Sequence, residues 1–165
     1  MQRKYDAVVF DLYGTLIESP LGQKSARIEM ASVLGVEPKE FEAAWAQFRY
    51  QRDTGLLATV DEAIEAAMRV LGSEADLDRI KAANIIRYRS VRAGLEPRPG
   101  AMELLKTLRT KGYALGLVSN CPSEVPELWS ATSFGGLFDA PVFSASEGLV
   151  KPDKRMFLRV VESSG

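Results

Sequence analysis

The sequence predicts an α/β protein: a doubly wound parallel sheet with a four-helix unit inserted after its first strand. Three observations lead there. Short apolar runs flanked by charge recur at 7–10, 113–118 and 142–145, as buried parallel strands do. Amphipathic helical stripes follow the second and third of these runs. Between the first run and residue 97 every periodic signal is helical.

Ala7-Val8-Val9-Phe10 is the first strand, and it runs into Asp11-Leu12-Tyr13-Gly14-Thr15, where Gly14 permits a sharp turn. Ser19-Pro20 reads as a cap with proline at the first helical position, and Gly35 closes that helix. Phe41, Trp45 and Phe48 recur on one face between Pro38 and Gly55, and they read as bundle core ahead of pocket. Thr59 and Glu62 form a capping box for a helix with Val60, Ile64, Ala67, Met68 and Leu71 inward, ended by Gly72. Leu77, Ile80, Asn84, Tyr88 and Val91 make a fourth stripe, ended by Gly94. Four such helices with short joins suit a small antiparallel bundle.

The pattern changes at Glu96-Pro97-Arg98-Pro99-Gly100, a plausible hinge. A helix with Ala101, Leu104, Leu105 and Leu108 inward leads to the second strand. A short helix near Glu124, the third strand, and a helix opened by Pro152 with Met156, Phe157, Val160 and Val161 on one face complete the chain. The expected division is therefore a core of 1–17 and 97–165, and a helical cap of 18–96.

Composition narrows the chemistry. The chain has 21 basic and 22 acidic residues, a net charge of -1, so no basic excess points to nucleic acid or an anionic membrane surface. No apolar run has spanning length, and the charged N-terminus is unlike a signal peptide. One cysteine, Cys121, makes a reducing cytoplasm the default expectation. There is no histidine, which removes the usual Ser-His-Asp and Cys-His activation and the common catalytic zinc sites. Carboxylates, hydroxyls, lysine, arginine and a hard cation held by oxygen remain.

Ligands of open parallel sheets bind at the carboxyl ends of strands. Asp11, Ser119-Asn120 and Lys151 all fall at or just past such ends. A carboxylate that attacks, with a hydroxyl and an ammonium that hold an anion, is a coherent catalytic set. Judged singly, each also fits a plain role: Asp11 in a turn, Ser119 ending a strand, Lys151 solvated before a helix.

Phe-Asp-Leu-Tyr-Gly-Thr-Leu at 10–16, Leu-Val-Ser-Asn at 117–120 and Ser-Glu-Gly-Leu-Val-Lys-Pro-Asp at 146–153 resemble, in order, the first three motifs of the haloacid dehalogenase superfamily. The helical block between the first two resembles the cap of its largest branch. The resemblance implies a Rossmann-like core and hydrolysis through a covalent aspartyl intermediate on Asp11. It implies that Thr15 and Ser119 fix the nucleophile and transferred group, with Gly14 and the Asn120 amide beside them, and that Lys151 pairs with Asp11 and an anionic small-molecule substrate. In the superfamily's phosphatases, Asp11 and the carbonyl of Tyr13 would hold magnesium.

Two departures bear on the reaction. Phosphatases of the superfamily place a second aspartate two residues after the nucleophile, where this chain has Tyr13, and a phenol of pKa near 10 is a poor base at neutral pH. Tyrosine there resembles the 2-haloacid dehalogenases, which need no metal and release halide without a proton. Those enzymes also carry a tyrosine where this chain has Phe157, and a cap arginine that binds substrate, for which Arg49 and Arg52 are the candidates. The fourth motif, an acidic stretch, is not found, and Asp153 beside Lys151 does not replace it. The leading expectation is a magnesium-dependent phosphatase of a small metabolite. The alternatives are a metal-independent 2-haloacid dehalogenase and an inactive fragment or interaction module. A chain truncated before the fourth motif is expected to expose its first strand as an edge, to be marginally stable, and to self-associate.

Overall fold

The structure is a computed structural model that describes residues 5–18 and 23–163; the expected Ser19-Pro20 cap lies outside them. Three parallel strands, β1 (Ala7–Phe10), β2 (Ala114–Ser119) and β3 (Ala140–Phe143), form one sheet in the order β1-β2-β3. Val9 pairs with Gly116 and Phe10 with Leu117, while Ser119 pairs with Phe143. In this register β2 and β3 end side by side at Ser119 and Phe143 and β1 ends opposite Leu117, two residues short of them, so the three carboxyl ends lie at one edge of the sheet, where Asp11, Asn120 and Lys151 follow.

The central strand β2 is buried on both faces, which explains its continuous apolar run. Leu115 and Leu117 enter one core with Leu12, Leu16, Leu105, Val125, Trp129, Phe134 and Phe138. This core lies beneath α6 (Ala101–Thr110) and α7 (Glu124–Trp129). Val118 joins Ala140, Val142, Met156 and Val160 in a second, smaller core, formed where α9 (Lys154–Ser163) packs across β2 and β3. Gly116 makes that approach possible: a Cβ there would stand 2.3 Å from Val160 Cγ1.

Residues 23–94 are helical: α1 (Gln23–Leu34), α2 (Pro38–Gln47), α3 (Arg49–Asp53), α4 (Val60–Val70) and α5 (Leu77–Gly94). Helix α1 packs on α5 and α2, and α4 packs on α2 and α5. Their apolar faces meet in a separate core of Met30, Leu34, Phe41, Trp45, Ile64, Ala67 and Ile86. The Thr59–Glu62 capping box forms as expected, with Glu62 N–H donating to Thr59 Oγ1 at 3.2 Å and Thr59 N–H to Glu62 Oε2 at 3.2 Å. The second expected helix is split at Phe48. There the Trp45 carbonyl accepts from Phe48 N–H (3.4 Å) and from Arg52 Nη1 (2.5 Å), so a side chain takes over an acceptor that a continuous helix would use.

Other details differ from expectation. The buried face of α5 is Ile80, Ala83, Ile86, Arg87 and Val91, and Leu77 at its first turn is exposed. Leu104 is exposed on α6. The third strand begins two residues earlier, at Ala140, and ends at Phe143, because Ser144 leaves the strand to bond the Cys121 backbone and open the short helix α8 (Ser144–Glu147). On α9, Met156 and Val160 are buried, but Phe157 and Val161 are 46% and 67% exposed, since the sheet beneath reaches only one side of their stripe. Strand β1 is an edge, and its Val9 is 45% exposed, as expected for a first strand without an outer neighbour.

Candidate active site

Strand β1 ends at Phe10, and the next residue, Asp11, carries its carboxylate out at the sheet's upper edge. Its Oδ1 accepts from the Leu12 N–H at 2.8 Å and from Lys151 Nζ at 2.6 Å. The Asp11 side chain is half-exposed, so this pair orients the carboxylate more than it stabilises the fold; such pairs contribute about 0–1 kcal/mol. Lys151 is braced at three further points. Its ammonium donates to the Val118 carbonyl at 3.1 Å, its N–H donates to Asn120 Oδ1 at 2.8 Å, and its carbonyl accepts from Asn120 Nδ2 at 3.4 Å. Asn120 thus ties the end of β2 to the segment after β3. One of its two amide hydrogens goes to Lys151, which leaves the other for a ligand.

Beyond Asp11 the backbone turns back on itself: Leu16 and Ile17 N–H both donate to the Leu12 carbonyl, and Gly14 has φ +74. Arg98, from the expected hinge, holds this turn by donating to the Gly14 carbonyl at 2.8 Å and pairing with Glu18 at 3.0 Å.

A cleft of about 560 Å³ opens over these strand ends. Asp11, Tyr13, Asn120 and Lys151 line it from the sheet, and Arg27, Glu42, Trp45, Arg49, Arg52, Asp53 and Arg87 from the helices. Five cationic and three acidic side chains on its wall favour a small anion. Gly14, Thr15 and Ser119 are outside this lining. Thr15 is exposed and donates its N–H to the Leu12 carbonyl at 3.2 Å. Ser119 is fully buried, and its Oγ lies beside the Cys121 thiol without a well-formed hydrogen bond. Burial pushes that thiol far above its usual range, so Cys121 is a neutral, inert group.

The two expected arginines differ. Arg49 is 81% exposed at the rim and paired with Asp53 at 3.5 Å. Arg52 lies over the Trp45 ring at 4.2 Å, with its Nε buried and unpartnered. Burial, then the nearby Arg87, lowers Arg52 to about 10, and it keeps its charge at neutral pH. Trp45, expected in the bundle core, is in that core and also on the cleft wall. Burial pushes the Tyr13 phenol well above its usual range, and Cys121 adds to this. Burial also raises the Asp53 carboxyl, against Arg49 and Arg52.

Sequence reasoning did not single out Arg27, Glu42, Asp53, Arg87 or Glu124. Arg27 pairs with Glu42 at 2.8 Å, and Arg87 with Glu124 at 2.6 Å. The signal for Arg87 was its spacing, since it continues the stripe of Ile80 and Ala83 toward Val91. Magnesium seeks near-octahedral oxygen donors. The protein donors on offer are the Asp11 carboxylate, already paired with Lys151, and the Tyr13 carbonyl; among the described residues no cluster of three acidic, histidine or cysteine side chains supplies more. These residues do not make a magnesium site by themselves.

Comparison with known proteins identifies the family and the fold. The sequence profile of the haloacid dehalogenase-like hydrolases matches residues 5–165, and the chain belongs to that family of hydrolases. It is similar to (S)-2-haloacid dehalogenase 4A of Burkholderia cepacia, 25% identical over 158 residues, which cover 92% of this chain and 66% of that protein. The chain therefore spans just under two thirds of that relative's length. Among solved structures it resembles a HAD family enzyme from Bacteroides thetaiotaomicron, with a TM-score of 0.69, 20% identity, and coverage of 99% of this chain and 80% of the other. A predicted phosphoglycolate phosphatase from Haemophilus somnus gives a TM-score of 0.59 at 19% identity, covering 98% of this chain and 72% of the other. The shared architecture is the α/β fold of the family, with helices on both faces of a parallel sheet.

Proposed function

We propose that the chain carries the site of a 2-haloacid dehalogenase-type hydrolase that works without a metal. The observation that carries this reading is Tyr13. It occupies the position where a phosphatase of the family needs an acid and base, and burial holds its phenol neutral. A departing alkoxide needs a proton, whereas a departing halide does not. The curated relative, a 2-haloacid dehalogenase, supports the same choice.

In this reading Asp11 Oδ attacks the carbon bearing the halogen. The carbon–halogen bond breaks, halide leaves with the electron pair, and an ester to Asp11 forms. Water then adds to the ester carbonyl of Asp11 and releases a hydroxy acid, a proton and the free carboxylate. Lys151 orients Asp11 before attack, and Asn120 holds Lys151 in register. Arg52, on the cleft wall and over the Trp45 ring, receives the substrate carboxylate, while Trp45 covers its apolar carbon chain. Thr15 and Ser119 act from outside the cleft by shaping the backbone that bears Asp11 and Asn120. The helices of residues 18–96 serve as the cap that chooses the substrate.

The phosphatase expectation shares Asp11, Asn120 and Lys151 with this reading. It is weakened by Tyr13. The test is halide release from 2-chloropropionate and phosphate release from an aryl phosphate, each with and without a chelator. Halide release that survives chelation supports the proposal. Phosphate release abolished by chelation, without halide release, sinks it.

A further inference from the structure

The ion pair between Arg87 and Glu124 stands apart from the other salt bridges of the described residues. Both side chains are almost fully buried, at 3% and 2% exposure, and Arg87 Nε donates to Glu124 Oε1 at 2.6 Å. It joins α5 of the helical layer to α7 of the sheet layer. One residue further on, the Tyr88 hydroxyl donates to Glu127, so two successive side chains of α5 grip acids one turn apart on α7. Arg87 also lines the cleft, and its guanidinium lies 5.8 Å from the centre of the Trp45 ring, whose stacking partner is Arg52. A continuous line of contacts therefore runs from Glu124 through Arg87 and Trp45 to Arg52. The same helix α7 follows the loop bearing Asn120, so Glu124 is anchored close to the catalytic end of β2.

A buried ion pair is a poor device for stability alone. The cost of desolvating two charges offsets most of their attraction, and well-packed apolar replacements are often as stable. What such a pair supplies is direction, because a guanidinium and a carboxylate meet only in a few geometries. The cleft wall is where direction matters, since an anion-binding guanidinium displaced by an ångström loses most of its value.

We propose that Arg87 and Glu124 are positioning residues, a strut that fixes Trp45 and through it Arg52, and so sets affinity for the anionic substrate. The strut rests on the reading of Arg52 as the substrate anchor. It leaves the chemical step at Asp11 untouched, because neither residue reaches the nucleophile.

The test uses Arg87→Met combined with Glu124→Leu, which removes both charges and keeps volume, and Glu124→Gln as a milder companion. In the paired variant the melting temperature is expected to stay within a few degrees of the parent. KM for 2-chloropropionate is expected to rise at least about tenfold there and at least about threefold in Glu124→Gln, which keeps the Arg87 charge on the cleft wall, with kcat within about threefold in both, the signature of lost binding without lost chemistry. A second readout needs no substrate. In a Trp129→Phe background, which leaves Trp45 as the sole tryptophan, acrylamide quenching of Trp45 is expected to increase at least about twofold in either strut variant as its burial loosens. If the parent releases no halide, the functional reading fails, and the quenching measurement alone decides the strut. A folded paired variant with unchanged KM and unchanged quenching overturns the proposal. So does a fall in kcat at constant KM, or loss of the fold, which would make the pair a structural element only.

Discussion

Asp11, Asn120 and Lys151 come from three separate segments, yet each is held by the next: Asn120 by the Lys151 backbone, Lys151 by Asp11 and the Val118 carbonyl. Tyr13 is on the same cleft but titrates far from the working range, because burial disfavours the phenolate. The sign is simple: a raised acid stays protonated, so no limb of the pH–rate profile between pH 5 and 9 belongs to it. Tyr13→Phe is expected to keep haloacid turnover within about tenfold and to leave the profile's shape unchanged. A larger loss, or a missing limb, would make Tyr13 a proton carrier. Arg52→Met, by contrast, should raise KM by about 10²-fold, since a charge-assisted bond worth roughly 1.5–3 kcal/mol is removed along with its stacking. At this scale the convergence of Asp11, Asn120 and Lys151 was legible in the sequence, because parallel strands bring their carboxyl ends to one edge of the sheet whatever the loops do. It did not reveal that Ser119 turns inward, since alternation within β2 cannot say which face meets the cleft when both faces are buried. Arg87 and Glu124 were hidden because a charge on an apolar stripe looks like an interruption until its partner on another element is seen.

Elements were legible where a local signal has a single meaning. The Thr59–Glu62 box and the three strands are of this kind. They were less legible where tertiary contacts set the limits: Arg52 takes the Trp45 carbonyl and breaks a helix, and Ser144 leaves β3 for the Cys121 backbone. Gly116 shows how tightly α9 and β2 meet. Gly116→Ala is expected to cost about 1–3 kcal/mol, the usual range for overpacking, because its Cβ would meet Val160 Cγ1 at 2.3 Å. Denaturant unfolding of Gly116→Ala, Val160→Ala and the double variant checks this. The double variant should be more stable than the sum of the two single losses predicts; strict additivity would show that the two residues do not collide.

For the whole molecule, apolar surface is left open among the described residues: Val9 on the edge strand, and Phe157, Leu158 and Val161 on α9. An edge strand with open amides and carbonyls invites pairing with another chain. These 165 residues are therefore expected to associate as concentration rises. Val9→Lys should reduce that association without altering helix content. Sedimentation velocity across a hundredfold concentration range checks it, and a monomer throughout would show that the edge is protected.

The account turns on Asp11 as a covalent nucleophile, and one experiment addresses that directly. Several turnovers of 2-chloropropionate are run in heavy-oxygen water, and the peptide containing Asp11 is then weighed and fragmented. Attack by Asp11 makes an ester whose hydrolysis leaves a solvent oxygen on the enzyme, so the account predicts label on the Asp11 carboxylate, with none in a parallel sample of Asp11→Asn. Label that appears only in the hydroxy acid product, with Asp11 unlabelled after many turnovers, would mean that water attacks the substrate directly and would contradict it.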